Sequence, residues 1–167
     1  MPPALERRSA LSIAWHGLAP TIVNLVTNWE PGKLSSEKQY RDSLFHHLEN
    51  SLPQPPQCRI EREYRDAGTT TDVFIKWNGV FGATEFHFEL KNNLTRKTDF
   101  DRLVGQISIL LHEKRRVIVV LCGKTDSALL GRLKVQFEDA LATDGDIFGT
   151  GLVEARMILL TKDYGAI

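Results

Sequence analysis

The run VIVVLC, Val117 to Cys122, contains no polar position. A strand with one face in water alternates, so an unbroken apolar run rich in β-branched residues reads as a strand buried on both faces. Helical patterns flank it. From about Asp99 to Lys114, Phe100, Leu103, Val104, Ile107, Leu110 and Leu111 recur at helical spacing, and a further helix is expected near 126–142. A buried strand bounded by helices implies a mixed α/β fold whose central sheet is covered on both sides.

Three strands are expected before the first of these helices, at about 58–64, 71–77 and 83–91, the last two joined as a hairpin near Asn78-Gly79. A last strand is expected near 155–161. Upstream, a helix starts near Ser36, with Gln39 as its capping-box partner, and runs to about Asn50, where LPQPPQ stops it. Residues 1–33 read as an N-terminal helical extension, with Ile22, Leu25, Val26 and Trp29 forming a stripe behind Pro20, and residues 34–167 as the α/β domain. Trp15 and Trp29 are apolar candidates in the extension for packing on the core or for building a homodimer or other protein interface.

The length of 167 residues suits one sizeable core, and 42% hydrophobic with 25% charged residues is an ordinary globular composition. Basic and acidic residues balance at 21 each, so net charge argues for neither a nucleic-acid nor a membrane partner. The distribution is uneven: residues 91–116 hold seven basic and three acidic side chains, and 125–167 hold four and seven. Cys58 and Cys122 are too few for a disulfide framework and read as reduced core residues. His16 and Gly17 interrupt the only apolar stretch near the N-terminus, so neither a signal peptide nor a membrane span is expected, and a cytoplasmic location follows.

Within the third strand, FHFELKN alternates: Phe86, Phe88 and Leu90 point one way, and His87, Glu89 and Lys91 the other. Water is the simple explanation of a charged face, but a face covered by a helix requires its ions to be partnered. Hairpin pairing brings Asp72 beside Glu89. Adjacent carboxylates repel unless a cation lies between them, and hard oxygen ligands suit Mg2+ or Mn2+. Lys91 shares the face of Glu89, either to hold a water or phosphate oxygen or to form a simple ion pair. Glu37 shares the inward stripe of Tyr40, Leu44 and Leu48, although a first-turn acid also complements the helix dipole. Gln106 borders the apolar stripe of its helix.

This ordered series, an inward Glu, a strand Asp, a strand Glu-x-Lys and a helical Gln, resembles the PD-(D/E)XK nuclease superfamily with its restriction-endonuclease-like core of helix, three strands, helix and strand. The resemblance covers about residues 35–122. It implies that Asp72 and Glu89 bind the metal, that Lys91 is the catalytic lysine, and that Glu37 and Gln106 complete the site. Thr71 stands where many members have Pro, and Leu110 departs from the Q-x-x-x-Y pattern of one branch. The activity implied is Mg2+- or Mn2+-dependent hydrolysis of phosphodiester bonds, endo- or exonucleolytic, with DNA favoured over RNA. Leu90 would add its backbone carbonyl as a third ligand.

For such a substrate, Lys91, Arg96 and Lys97 supply phosphate contacts, and EKRR, 113–116, supplies either a second basic cluster or cations complementing a helix C-terminus. GKT after VIVVLC is no phosphate-binding loop, because Ile118 occupies the position that motif requires to be Gly. His87 reads more readily as structural than as part of the site. The alternative from another class is a non-cleaving nucleic-acid-binding or protein-interaction domain of the same fold; a third is a small structural domain with a charged strand face.

Overall fold

The computed structural model describes residues 10–66, 68–79, 82–141 and 156–162, with the side chains of 10–17 and 66 outside the described set. Trp15 therefore lies outside the described side chains. Five strands form one sheet in the order β1-β2-β3-β4-β5: β1 (Cys58–Asp66), β2 (Thr69–Gly79), β3 (Gly82–Asn92), β4 (Val117–Cys122) and β5 (Met157–Lys162). The first three pair antiparallel, whereas β3, β4 and β5 pair parallel. Parallel neighbours need a crossover, and α3 (Lys97–His112) and α4 (Ser127–Gln136) lie in the two connections. With α1 (Ala10–Thr27) and α2 (Glu37–Ser51) ahead of β1, the expected order of helix, three strands, helix and strand is the order observed from α2 to β4.

All six residues of VIVVLC are buried, and they divide between two cores. Ile118 and Val120 join Val73, Ile75, Phe86, Phe88 and Leu90 on the face covered by α1 and α2, through Ile22, Val26, Tyr40, Leu44 and Leu48. Val117, Val119 and Leu121 face α3 and α4, through Phe100, Leu103, Ile107, Leu110, Leu129 and Leu133. The fold is thus a mixed α/β sheet between two helical layers. Cys58 and Cys122 are free and buried within it, and burial pushes the Cys122 thiol up to about 12.

Several boundaries differ from the sequence pattern. Asn78 and Gly79 are strand residues paired with Ala83 and Gly82, so the hairpin connection falls at 80–81, outside the described residues. Pro20 does not begin a helix but lies inside α1, which is already helical at Ala10. The expected helix to 142 ends at Gln136, and residues 142–155 lie outside the described set. The capping box near Ser36 is half made: Ser36 Oγ accepts the Gln39 N–H, but Gln39 Oε1 accepts from the Ser35 N–H and hydroxyl instead of Ser36.

Two contacts fasten α1. The His47 ring nitrogen Nε2 lies 2.8 Å from the Leu25 carbonyl, and the Lys162 ammonium donates to the carbonyls of Thr27 and Trp29 at 2.6 and 3.0 Å. The latter places a cation on the C-terminal carbonyls of the helix, where the dipole favours it. Trp29 is only 2% exposed and its indole N–H donates to Ser43 Oγ, so of its two expected roles this residue takes packing on the core. Among the described residues no helix is long and apolar enough to cross a membrane.

Candidate active site

The polar side of FHFELKN does not face water. His87, Glu89 and Lys91 are 0%, 1% and 8% exposed. Burying three ionisable side chains on one strand is costly unless each is partnered or neutralised. His87 Nδ1 lies 3.1 Å from Thr71 Oγ1, its Nε2 lies 3.6 Å from Glu85 Oε2, and its ring lies 5.1 Å from the Phe74 ring between centroids. It holds β2 to β3 and does not enter the acid cluster.

Glu89 is different. Burial first, and the neighbouring Asp72 charge second, push its carboxyl up to about 9, and its Oε1 is enclosed with no hydrogen-bond partner among the described residues. Asp72 is raised to about 6, chiefly by burial, and the Leu90 N–H that donates to Asp72 Oδ2 at 2.8 Å opposes that rise. Two carboxyls in mutual range, both resisting ionisation, hold a proton between them where ordinary carboxyls would hold none. Their placement follows from the hairpin: Val73 pairs with Phe88, so the next step along each strand brings Asp72 and Glu89 together.

Asp72 sits at a break in the sheet. The β1–β2 ladder runs through Arg62↔Val73 and resumes at Tyr64↔Thr71, and the omitted Glu63 has a left-handed backbone, φ 51°. The register is the same on both sides of the gap, and a non-glycine residue in this backbone region carries strain. The Glu63 carboxylate accepts from Arg41 Nη1 at 2.8 Å. Arg41 also donates to Asp42, which Arg62 joins at 3.2 Å, and the Arg41 charge favours the ionised form of Asp72. Arg41 was not among the sequence candidates. Its signal was available, because it stands one helical turn after Glu37 on α2.

Glu37 lies in the first turn of α2, half exposed, with Oε2 3.4 Å from Lys91 Nζ. Its helix packs on the sheet face that carries Phe88 and Leu90, whereas Lys91 alternates with Leu90, so the pair joins the two sides at the end of β3. The structure therefore brings Glu37, Asp72, Glu89 and Lys91 together, with Leu90 wholly buried between the last two. Gln106 is not joined to them by a hydrogen bond among the described residues. It is half-buried on α3, its Oε1 enclosed and without a partner there.

The basic candidates separate. Arg96 and Lys97 stand at the start of α3, exposed, and pair with Asp99 and Asp101 at 3.0 and 2.9 Å. Lys114, Arg115 and Arg116 follow the other end of the same helix, next to the start of β4, and do not accompany the acids.

Among the described residues no three His, Cys, Asp or Glu side chains form a cage for a metal ion. The arrangement is instead a pair of carboxyls with Glu37 held off by Lys91. It fits a hard divalent cation on one observation: Glu89 has an enclosed oxygen without a donor, beside a second acid whose charge it repels.

No family model and no curated protein matches the chain. Among solved structures it is similar to SfsA of Pyrococcus furiosus, in a complex with Ca2+, at 16% identity and a TM-score of 0.43. The match covers 74% of this chain and 56% of that one, so this chain spans about half the length of that protein. A likeness of that size leaves the chemistry to be read from the chain's own residues.

Proposed function

We propose that the chain is a metal-dependent nuclease of the PD-(D/E)XK superfamily that hydrolyses phosphodiester bonds in DNA, with residues 34–167 as its nuclease unit and the cytoplasm as its location. The observation that carries this reading is the buried pair Asp72 and Glu89 with Lys91 beside it. A solvated strand face or a purely structural ion pair would not place two carboxyls where both resist charge.

In this reading Asp72, Glu89 and the Leu90 carbonyl would hold Mg2+ or Mn2+. The ion's chemistry is to neutralise phosphate charge and to make a bound water acidic. The chain supplies the rest. Lys91 presents a cation to the oxygens on which negative charge develops, and Glu37 fixes its ammonium from the opposite layer. Arg41 favours the charged state of Asp72 that metal binding needs. Gln106 would offer its unengaged side-chain carbonyl oxygen from α3 for orienting water or substrate. Arg96 and Lys97, with exposed side chains at the same end of the molecule, would contact the phosphate backbone.

The test is cleavage of plasmid and of single-stranded DNA by the full chain with Mg2+, with Mn2+ and with chelator, alongside Asp72→Asn. Cleavage that needs the metal and is lost in the variant is expected. DNA binding without cleavage under any metal would select the non-cleaving alternative.

A further inference from the structure

Arg41, whose charge reaches Asp72, also lines an open groove of about 820 Å³ between α2 and β1, the edge strand of the sheet. Lys38, Arg41, Asp42 and Phe45 come from one face of α2, at i, i+3, i+4 and i+7, and residues 61–65 supply the β1 wall. Its charges do not cancel. Asp42 is bridged by Arg41 and Arg62 at 3.1 and 3.2 Å, Glu63 pairs with Arg41 at 2.8 Å, and Glu61 lies 3.8 Å from Arg59. All three acids of the lining already face an arginine. Lys38 and Arg65, both exposed, make no ion pair among the described residues, so the uncompensated charge of the groove is positive.

Two planar groups in the lining add a preference for bases. The Arg62 guanidinium lies 4.5 Å from the Phe45 ring centroid, and the Tyr64 ring stacks on Phe74 at 4.0 Å with 12° between the planes. Phe45 and Phe74 are buried, whereas Arg62 is exposed and Tyr64 partly so. Each outer group is thus backed by a buried ring and keeps accessible surface of its own. A cationic groove with planar side chains held in this way suits a strand whose base faces are free, because phosphates meet the cations and bases stack on the planes. In a duplex those faces are stacked on one another.

We propose that the groove between α2 and β1 binds single-stranded DNA and leads it to the acid pair, with Lys38 and Arg65 on its phosphates and Arg62 and Tyr64 against its bases. Lys38 follows Glu37 in the first turn of α2, and Arg41 is shared by the groove and by Asp72, so a strand lying in the groove ends beside the acids. The naming of this strand as substrate rests on the nuclease reading. Its binding in the groove does not.

Fluorescence anisotropy of the full chain in chelator, with an oligothymidylate and with a blunt duplex, tests the groove. The wild type is expected to bind the single strand at least about tenfold more tightly than the duplex. Tyr64→Leu should weaken single-strand binding about tenfold, the loss of one stacked base, whereas Tyr64→Phe should bind like wild type. Lys38→Gln with Arg65→Gln should lower the salt slope for the single strand by about 1.4, two phosphates at the single-strand value. These exposed, unpaired positions decide the matter by themselves if Tyr64→Leu unfolds. Binding of this pattern in a protein that cleaves no DNA with Mg2+ or Mn2+ upholds the groove and ends the nuclease reading. A folded Tyr64→Leu or the double variant binding as wild type, or a duplex bound as tightly as the single strand, overturns the groove whether or not the protein cleaves.

Discussion

At the scale of single residues, the consequence of pairing Asp72 with Glu89 is a stability that depends on pH and on metal. Both carboxyls are raised, Asp72 to about 6 and Glu89 to about 9. A raised acid stabilises the fold while protonated, so its contribution is complete below the ordinary carboxylate range and is lost as pH climbs through the raised values. The metal-free protein should therefore weaken between about pH 4 and pH 9. Asp72→Asn removes one of the two charges, and at pH 8 in chelator it should add on the order of 1 kcal/mol while abolishing cleavage. At pH 5 the gain should shrink toward zero. Magnesium should raise the Tm of the wild type by mass action and leave the variant almost unmoved. Equal magnesium shifts in the two proteins would remove Asp72 from the metal site. Lys91→Ala separates chemistry from binding: turnover should fall at least about a hundredfold while the magnesium-induced Tm shift persists, because lysine acts on developing charge. Cleavage at the wild-type rate would end the catalytic assignment.

At the scale of elements, the hairpin and the two helices that enclose it decide what can be concluded. Arg96 precedes α3 and Lys97 begins it, but each is paired with an acid of the helix's first turns. Exposed pairs of this kind contribute little to stability, so Arg96→Ala with Lys97→Ala should change unfolding by less than about 0.5 kcal/mol. If these side chains meet phosphates, the same double variant should flatten the salt dependence of DNA binding by about two counterions. A salt slope equal to wild type would place the DNA elsewhere. Much of this level was legible in sequence. The 3.6-residue stripe of α3, the alternation of β3 and the unbroken run of β4 each encode burial directly, and their order gives the layers. What could not be read depends on contacts between elements. Nothing near Glu63 marks its left-handed backbone, since a turn residue such as Gly or Asn would have been the signal. Pro20 reads as a helix start because proline favours first turns, and only packing on the sheet explains a helix that continues through it. The separation of the two basic clusters, by contrast, was already implied by the helix expected from about Asp99 to Lys114, and α3 lies between them with its full length.

At the scale of the whole molecule, the site strand is clamped between layers, and α1 forms part of one of them. β3 carries Glu89 and Lys91 on one side and Phe88 and Leu90 on the other, and the latter pair shares a core with Ile22, Val23 and Val26 of α1, at 0%, 2% and 0% exposed. Removing residues 1–33 would uncover apolar surface directly behind the acids and leave Lys162 without the carbonyls of Thr27 and Trp29. That surface cannot be re-covered by chain that is already packed elsewhere, so the loss should act on both folding and function. The truncated chain is expected to lose cooperative unfolding or to self-associate. A milder variant isolates the cause: Ile22→Ala, a wholly buried truncation, should cost about 2–4 kcal/mol and lower the Tm without altering mass in solution. Its magnesium-dependent cleavage, measured well below its Tm, should remain within a fewfold of wild type, because no group that touches the acids is changed. Thermal unfolding, sedimentation and cleavage of the three proteins read this out together. A truncated chain that unfolds like the full one and cleaves as fast would show that α1 is a detachable extension and that the sheet face behind Glu89 needs no cover.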